Sequence, residues 1–323
     1  MRRLGPEDSP GGPPLLECGV PGGLCRTGRS PGPLAGAQPL TVSSDRRTVL
    51  GGALAFSLAG PAAARAAGLD ILLAGALRQG GTLIGRTDPG ARIRIDGREA
   101  GIASPAGVFL VGLDRDSPAA VKVTATLTDG RTAEKRLTVA PGGFDIQRIN
   151  GLPPQQVKPQ GEALLAKIAA ESERKAKGWA SRVDSDDFAG GFSPPLKTYR
   201  VSGRFGGQRI LNGQPMTPHY GADLAAPKGT PILAPAPGRI CFAETGLHFE
   251  GGLTMIDHGQ GLVTAYLHQS RLGVRAGQRV ERGEVIGAVG MEGRATGPHL
   301  CWRMKWRDRH LDPTLLIGVR APA

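Results

Sequence analysis

The sequence predicts a mainly β chain with a small N-terminal sandwich, a short connector helix and a C-terminal domain built on an antiparallel β-sheet. Three observations support this fold class. The chain has 323 residues with 50 Gly and 27 Pro, which favour strands and turns over long helices. Short apolar runs recur between turn signals, as in antiparallel β-domains. One segment, residues 161–180, has a helical composition.

The first 67 residues are expected to be a leader and an export signal that take no part in the fold. Residues 1–44 are rich in Gly and Pro without periodicity, which predicts a disordered leader or a segment upstream of a later translation start, such as Val42 with a non-Met start codon. Residues 45–67 combine Arg46 and Arg47 with a short apolar run and small residues at Ala-x-Ala spacing, as in secretory signals. The paired arginines resemble a twin-arginine signal.

This signal predicts export to the periplasm or cell envelope, with no stable transmembrane segment after cleavage. The alternative for the apolar run is a single membrane anchor or a buried helix. Lys plus Arg exceed Asp plus Glu by 12, an excess suited to nucleic acid, anionic lipid or an anionic wall polymer. Because the basic residues are scattered and no basic stripe with interleaved aromatics occurs, we expect no nucleic-acid binding. The sequence leaves the oligomeric state open.

Residues 68–140 alternate short β-runs with turns such as Asp88-Pro89-Gly90, which predicts a small antiparallel sandwich. This segment resembles bacterial immunoglobulin-like modules and is expected to act in spacing or wall binding, or to be purely structural. Residues 141–190 are predicted to be a linker with a helix. The helix has Leu164, Leu165 and Ile168 on one side and mostly charged residues after them, which predicts a solvated connector; a partner-binding helix is the alternative.

All six histidines lie in the last third of the chain, in or near the predicted domain 191–320. His219 and Asp223 are four residues apart, and a neutral imidazole and a carboxylate are suitable Zn²⁺ ligands. Gly221 between them is expected to let the backbone turn so that both face one ion. His268 ends a predicted strand and could act as a base or orient water.

His299 and Cys301 are two residues apart on a further predicted strand, so both should point to one side while Leu300 faces the core. A thiolate is a strong zinc ligand, although a buried structural cysteine is the alternative.

Together these elements resemble the lysostaphin or LytM type of zinc metallopeptidase over residues 195–315. The matching motifs are Gly203-Arg204-Phe205-Gly206, His219-x-Gly221-x-Asp223, Ala225-Ala226-Pro227-x-Gly229-Thr230-Pro231-Ile232, Gly238-Arg239-Ile240, Ile256-Asp257-His258-Gly259, Tyr266-x-His268, Gly277-x-x-Val280, Gly283-x-x-Ile286-Gly287 and Gly297-Pro298-His299-Leu300. The resemblance implies a Zn²⁺ cofactor, peptidoglycan peptide cross-links as substrate, His219 and Asp223 as metal ligands, and His268 and His299 as the catalytic pair beside the reacting water.

Cys301 departs from this resemblance, since the third ligand in the family is a second histidine. It is expected to ligate zinc as a thiolate, but it could instead pair with Cys241 in a disulfide, or mark a site that has lost its metal. A thiolate ligand predicts a less acidic bound water and a higher pH optimum than two histidines give.

The predicted function is therefore a zinc-dependent peptidoglycan endopeptidase. The alternative is a catalytically degenerate domain that binds the wall or activates an amidase. His258 is expected to be structural, and His248 and His310 lie outside the set.

Overall fold

The computed structural model describes residues 69–151 and 160–323. The predicted leader and signal lie outside these residues and stay predictions. Within the described ranges the chain is mainly β, with antiparallel sheets and a single α-helix, which confirms the predicted fold class. No helix in the two described ranges combines the length and the apolar content that a membrane crossing requires.

The N-terminal sandwich, residues 69–140, consists of two antiparallel sheets with the strand orders β1-β2-β5 and β4-β3-β6-β7. Alternation decides which side chains enter its core: Ile93 and Ile95 of β3 are buried between exposed arginines. The strands are β1 (Leu72–Gly75), β2 (Thr82–Arg86), β3 (Arg92–Ile95), β4 (Arg98–Ile102), β5 (Val108–Gly112), β6 (Ala120–Thr126) and β7 (Thr132–Thr138).

Strand β5 is buried along its whole length because the sandwich packs on the C-terminal part of the chain. Gly112 lies so close to Trp306 that a Cβ on this glycine would come within 2.8 Å of the indole ring. Gln260 donates a side-chain hydrogen bond of 3.0 Å to the carbonyl of Val108, and Arg309 donates one of 2.8 Å to that of Gly112. Apolar residues of both parts form one continuous buried cluster.

The segment predicted as a linker contains a strand. Strand β8 (Ile146–Ile149) pairs in parallel with β10 (Gln208–Leu211), which in turn pairs with β11 (Gln214–Pro215). Pro- and Gly-rich sequence on both sides hides this strand from pattern analysis, because four residues are too few to show a period. The first part of the predicted linker therefore forms an edge strand of the small sheet that contains β10.

The single α-helix, α1 (Glu162–Trp179), matches the predicted helical segment, but it docks with its charged half. Leu165 is 51 % exposed, whereas Glu171 and Gly178 are buried. Gly178 allows the close approach, since a Cβ there would come within 2.8 Å of the Met255 sulfur. The predicted solvated face holds for most charged residues of the helix. The exceptions are Glu171, which is buried, and Lys175, which is partly buried; they make polar contacts with His248 and Glu250.

The C-terminal domain is centred on an eight-stranded antiparallel sheet with the order β18-β14-β15-β16-β20-β12-β9, in which β21 also pairs with β20. A small second sheet has the order β13-β19-β17. The remaining strands are β9 (Arg200–Gly203), β12 (Ala222–Ala225), β13 (Pro231–Leu233), β14 (Gly238–Leu247), β15 (Gly251–Asp257), β16 (Leu262–Gln269), β17 (Arg271–Leu272), β18 (Arg279–Val280), β19 (Val285–Ala288), β20 (His299–Trp306) and β21 (Arg309–Leu311), followed by a 3₁₀-helix (Pro313–Leu316).

Both faces of the central sheet are buried, so β15 and β16 have no exposed residue. One face packs into the large cluster shared with the N-terminal sandwich. The other face forms a smaller cluster that includes Leu267 and Cys301 and is covered in part by Trp179 of α1. The candidate metal ligands lie on this second face.

Candidate metal centre

Strand register brings three of the predicted residues to one face of the sheet. Asp223 of β12 stands directly opposite Cys301 of β20, and Ala225 stands opposite His299. Residues opposite each other in an antiparallel pair share a face, as do residues two apart on one strand. Asp223, His299 and Cys301 therefore point the same way, while Leu300 enters the core on the other side, as the alternation predicts.

His219 reaches the same point from the loop before β12. Its carbonyl and its N–H bond to the backbone of Gly206 and Gly207 at 2.7 and 2.8 Å, which fixes the loop. Gly221 acts differently from the expectation: it does not adopt a positive φ. It is required for space instead, since a Cβ at Gly221 would come within 3.2 Å of the Cys301 sulfur.

The donor atoms of His219, Asp223 and Cys301 all lie within 4.8 Å of one another. His219 Nε2 is 3.1 Å from Asp223 Oδ1 and 3.4 Å from Cys301 Sγ. All three residues are buried, with exposures of 4 %, 7 % and 1 %. This is the cluster of possible metal ligands found among the described residues.

These residues fit a zinc ion. Tetrahedral zinc with bonds of about 2.0–2.3 Å places its donor atoms roughly 3.3–3.6 Å apart, close to the separations of His219 from its two neighbours. Asp223 Oδ1 is buried without a hydrogen bond from the described residues, and an ion would supply its partner. His219 Nδ1 contacts the Arg204 carbonyl at 3.4 Å; because a carbonyl only accepts, Nδ1 carries the proton and Nε2 is left to bind metal.

The electrostatics of the cluster favour a cation. Burial lowers the pKa of His219, but the sulfur of Cys301 and the carboxylate of Asp223 outweigh burial and raise it above its ordinary value. Burial raises the pKa of Asp223, but a protonated His219 only 3.1 Å away and the nearby Arg209 bring it well below its ordinary value. The negative field that holds a proton on His219 would equally attract a divalent ion to the same nitrogen.

A distortion of β16 brings His268 into this site. Regular alternation would place His268 on the opposite face from Leu267, which stands across from Cys301. The register between β15 and β16 shifts at this point, and His268 has a φ of 65°, unusual for a residue other than glycine. Such bulges re-aim side chains, and the ring of His268 lies 4.7 Å from that of His299, centroid to centroid.

His268 and His299 are both held as neutral imidazoles. Each Nδ1 lies 2.8 Å from a backbone carbonyl, of Glu292 for His268 and of Gly297 for His299, so each Nδ1 donates and each Nε2 keeps its lone pair. Burial lowers the pKa of both imidazoles below its ordinary value. Two unprotonated nitrogens beside the metal cluster can take a proton from water or, once protonated, stabilise a developing negative charge.

The disulfide alternative for Cys301 does not hold in the structure, where Cys241 and Cys301 are both free. Cys241 lies on β14, and β15 and β16 separate it from β20. Three strand spacings of about 4.8 Å place the two cysteines far beyond the ~7 Å limit on Cα separation in a disulfide.

The other histidines occupy the places expected for them. His258 is fully buried and bonds to the Pro237 carbonyl at 2.6 Å and to the Thr264 hydroxyl at 2.8 Å, as a structural residue does. His248 lies at the turn after β14, where its N–H donates to Glu171. His310 stacks on Tyr220 with ring centroids 4.1 Å apart at the edge of the cleft, outside the metal cluster.

Two residues that support Asp223 had no role assigned to them from the sequence. The Arg209 guanidinium forms a salt bridge with Oδ2 of Asp223. Gly203 on the neighbouring strand leaves space for that carboxylate, since a Cβ there would come within 2.6 Å of Oδ2. The motif Gly203-Arg204-Phe205-Gly206 contained this signal, but the contact itself depends on how β9 pairs with β12.

The three candidate metal ligands and the two neutral histidines, His268 and His299, line a cleft of about 610 Å³. Its walls include Arg148 and Ile149 of β8, Arg209 of β10 and Arg294 of the loop before β20. Several cations thus face the cavity together with the histidines. The cleft is large enough for a short stretch of peptide beside the cluster.

Residues 217–313 match the model of Peptidase family M23 and form a peptidase M23 domain. The chain is 38 % identical over 121 residues to the peptidoglycan DD-endopeptidase ShyC of Vibrio cholerae, covering 37 % of this chain and 28 % of that protein. It is 38 % identical over 134 residues to the DD-carboxypeptidase/endopeptidase Mpg of Neisseria meningitidis serogroup B, covering 41 % and 30 %. The chain thus spans less than a third of the length of these curated relatives.

A crystal structure from Pseudomonas aeruginosa, described by the name peptidase M23, has a TM-score of 0.56 and 26 % identity to the chain. The match covers 75 % of this chain and 95 % of that one. This coverage exceeds the M23 domain, so the shared fold extends beyond residues 217–313.

Proposed function

We propose that the chain is a zinc-dependent endopeptidase that hydrolyses peptide cross-links of bacterial peptidoglycan. The observation that carries this proposal is the convergence of His219, Asp223 and Cys301 beside two neutral imidazoles in a peptide-sized cleft. The M23 domain and its similarity to peptidoglycan DD-endopeptidases support the substrate class.

Three residues would hold the metal: His219 through Nε2, Asp223 through a carboxylate oxygen and Cys301 through sulfur. A zinc ion held by these residues would supply Lewis acidity, to polarise the scissile carbonyl and lower the pKa of bound water. Arg209 holds Asp223 from the side away from His219, so the carboxylate stays oriented towards the cluster.

His268 and His299 carry the proton chemistry. One Nε2 accepts a proton from the attacking water, and the protonated ring can then deliver it to the leaving amine. The second imidazole stabilises the charge of the tetrahedral intermediate by hydrogen bonding. The carbonyls of Glu292 and Gly297 hold both rings in the tautomer that this chemistry needs.

We also propose export to the periplasm or cell envelope, because the substrate lies outside the cytoplasmic membrane. The twin-arginine-like segment 45–67 would provide the export signal. Transport of a folded chain by this route would allow zinc to be loaded first. In the proposed domain arrangement, the sandwich (68–140) and the connecting segment (141–190) precede the peptidase domain (191–320).

The test combines metal analysis with digestion of purified peptidoglycan followed by mass spectrometry of the released peptides. The purified chain should contain about one zinc per molecule and release peptide fragments. Asp223→Ala should lose both properties. His268→Ala and His299→Ala are the matched controls: they should keep the zinc and lose about 10²–10⁴-fold in kcat.

A second candidate function, a non-catalytic wall-binding or amidase-activating module, is favoured by one observation, the cysteine at a position where the resembled family has a histidine. A wild-type chain that binds the wall without zinc and releases no peptides would establish this module and refute the endopeptidase.

A further inference from the structure

Arg303 is the cation nearest in sequence to the candidate metal ligands. It follows Cys301 by two residues on β20 and therefore lies on the same face of the sheet. The residue opposite it on β16 is Ala265, whose small side chain leaves space for the guanidinium. Arg303 lines both the cleft and a second cavity of about 230 Å³ under α1, so it forms part of the wall between them.

Negatively charged groups outweigh the cations around Arg303. Burial lowers the pKa of its guanidinium, but the nearby Cys301 sulfur, Glu250 and Asp223 outweigh burial and raise it above its ordinary value. The guanidinium of Arg294 and the imidazole of His268 also lie near it. The Nε of Arg303 is buried without a hydrogen-bond partner among the described residues, so the side chain is held by these charges rather than by solvent. Gly221 makes the position possible, because a Cβ there would come within 2.8 Å of Arg303 Cγ.

The ligand set explains why a cation is needed here. A His, Asp, His set around a divalent zinc leaves one net positive charge, whereas a His, Asp, Cys set leaves none, because the thiolate adds a negative charge. An arginine beside the sulfur returns the missing positive charge to the site. Beside a histidine ligand, the same arginine would only add repulsion.

We propose that Arg303 is a positioning residue of the metal centre, whose guanidinium compensates the charge that Cys301 brings as the third ligand. The inference rests on the proposed zinc site and explains how a cysteine can occupy this position. Cys301 and Arg303 then form one functional pair, and exchange of either residue alone should disturb metal binding.

The experiment is a double-mutant cycle read by zinc affinity, measured by competition with a chelator at pH 7.5. Arg303→Gln should weaken zinc binding about tenfold in the Cys301 chain, a loss typical of groups that support a metal ligand. In the Cys301→His background the same substitution should leave the affinity unchanged or raise it. Arg303→Lys, which retains the charge, should keep most of the wild-type affinity.

Cobalt provides a second measurement that a purely structural role would not affect. The Co²⁺-loaded chain should show a sulfur-to-cobalt charge-transfer band. This band should move to lower energy in Arg303→Gln, because a positive charge beside a thiolate stabilises the sulfur electrons. Both measurements are repeated on Arg303→Met, whose apolar side chain packs better in the sheet than glutamine does. The test then does not depend on the folding of a single variant.

The outcomes separate the two proposals. A wild-type chain that binds neither zinc nor cobalt overturns the proposed function, and this inference with it. A chain that binds zinc, but loses the same affinity on Arg303→Gln in both backgrounds or shows no change in its cobalt spectrum, overturns the inference alone.

Discussion

His258 shows at the scale of a single residue how burial fixes a protonation state. The Tyr266 hydroxyl can donate to the Thr264 hydroxyl, which can donate to His258 Nε2, and both distances are 2.8 Å. Nδ1–H of His258 donates to the Pro237 carbonyl. The neutral ring satisfies this chain as an acceptor, and a proton on Nε2 would force both hydroxyls to reverse their direction of donation. Burial accordingly lowers the pKa of His258 to about 4.

This residue predicts a loss of stability in mild acid. Between pH 6.5 and 4 the unfolded chain binds a proton at His258 that the folded chain does not, so the free energy of unfolding falls as the pH is lowered. We expect a contribution of about 3 kcal/mol over this window. Urea unfolding at pH 7 and 4.5 measures it, with His258→Gln as the control. An equal pH dependence in both chains would contradict the prediction, since other buried histidines contribute to both.

The pair His268 and His299 predicts the acid limb of the pH–rate profile. Burial lowers the pKa of both imidazoles, so the unprotonated pair should persist below the ordinary histidine value of about 6.5. We expect the loss of kcat/KM that protonation of this pair causes, for a soluble cross-linked peptide, to set in only below this pH, apart from any limb at higher pH that a metal-bound water would set. An acid limb above pH 7 that disappears in both His268→Gln and His299→Gln would be inconsistent with neutral imidazoles in these positions.

At the scale of elements, helix α1 stabilises the turn at Glu250, whose backbone in turn binds His268 of β16. Lys175 Nζ lies 2.7 Å from Glu250 Oε1 in a pair of which each side chain is only about one-eighth exposed (12 % and 13 %). The carbonyl of Glu250 accepts the N–H of His268 at 2.8 Å. A charged helix face can dock here because each buried charge finds a partner.

Lys175→Met should therefore destabilise the fold by about 2–3 kcal/mol, because it leaves the Glu250 carboxylate buried without its ammonium partner. Urea unfolding at pH 7 provides the measurement. Arg174→Gln is the matched control on the same helix: its pair with Glu244 is half-exposed, so less than about 1 kcal/mol should be lost. Equal losses of unfolding free energy in the two variants would show that the buried pair stabilises the fold no more than the exposed pair does.

At the scale of the whole molecule, the N-terminal sandwich and the M23 domain share one apolar core. Trp306 and Leu311 are 3 % and 0 % exposed, and both pack near Gly112 of the sandwich. Burial of two such side chains is worth roughly 3–6 kcal/mol in total. Calorimetry of the chain should accordingly show one cooperative transition with equal calorimetric and van't Hoff enthalpies.

Removal of residues 69–140 should lower the unfolding temperature markedly, because it exposes this apolar surface to water. The control is Gln260→Ala, which removes a polar contact with Val108 but leaves the apolar interface, and should cost about 1 kcal/mol. Two separate transitions in the wild-type chain, or a truncated chain of unchanged stability, would show that the shared core does not couple the two parts.

The sequence alone was enough for the mainly β class, for the helix near residues 161–180 and for gathering five candidate site residues, because periodicity, turn residues and ligand chemistry are local properties. Only the tertiary structure decided that β12 and β20 are neighbours, that a distortion turns His268 towards His299, and that Arg209 and Arg303 stand beside Asp223 and Cys301. It also corrected the role of Gly221 from conformation to space. Strand pairing and close packing join residues far apart in the chain, and no local pattern of side chains records which partner each one meets.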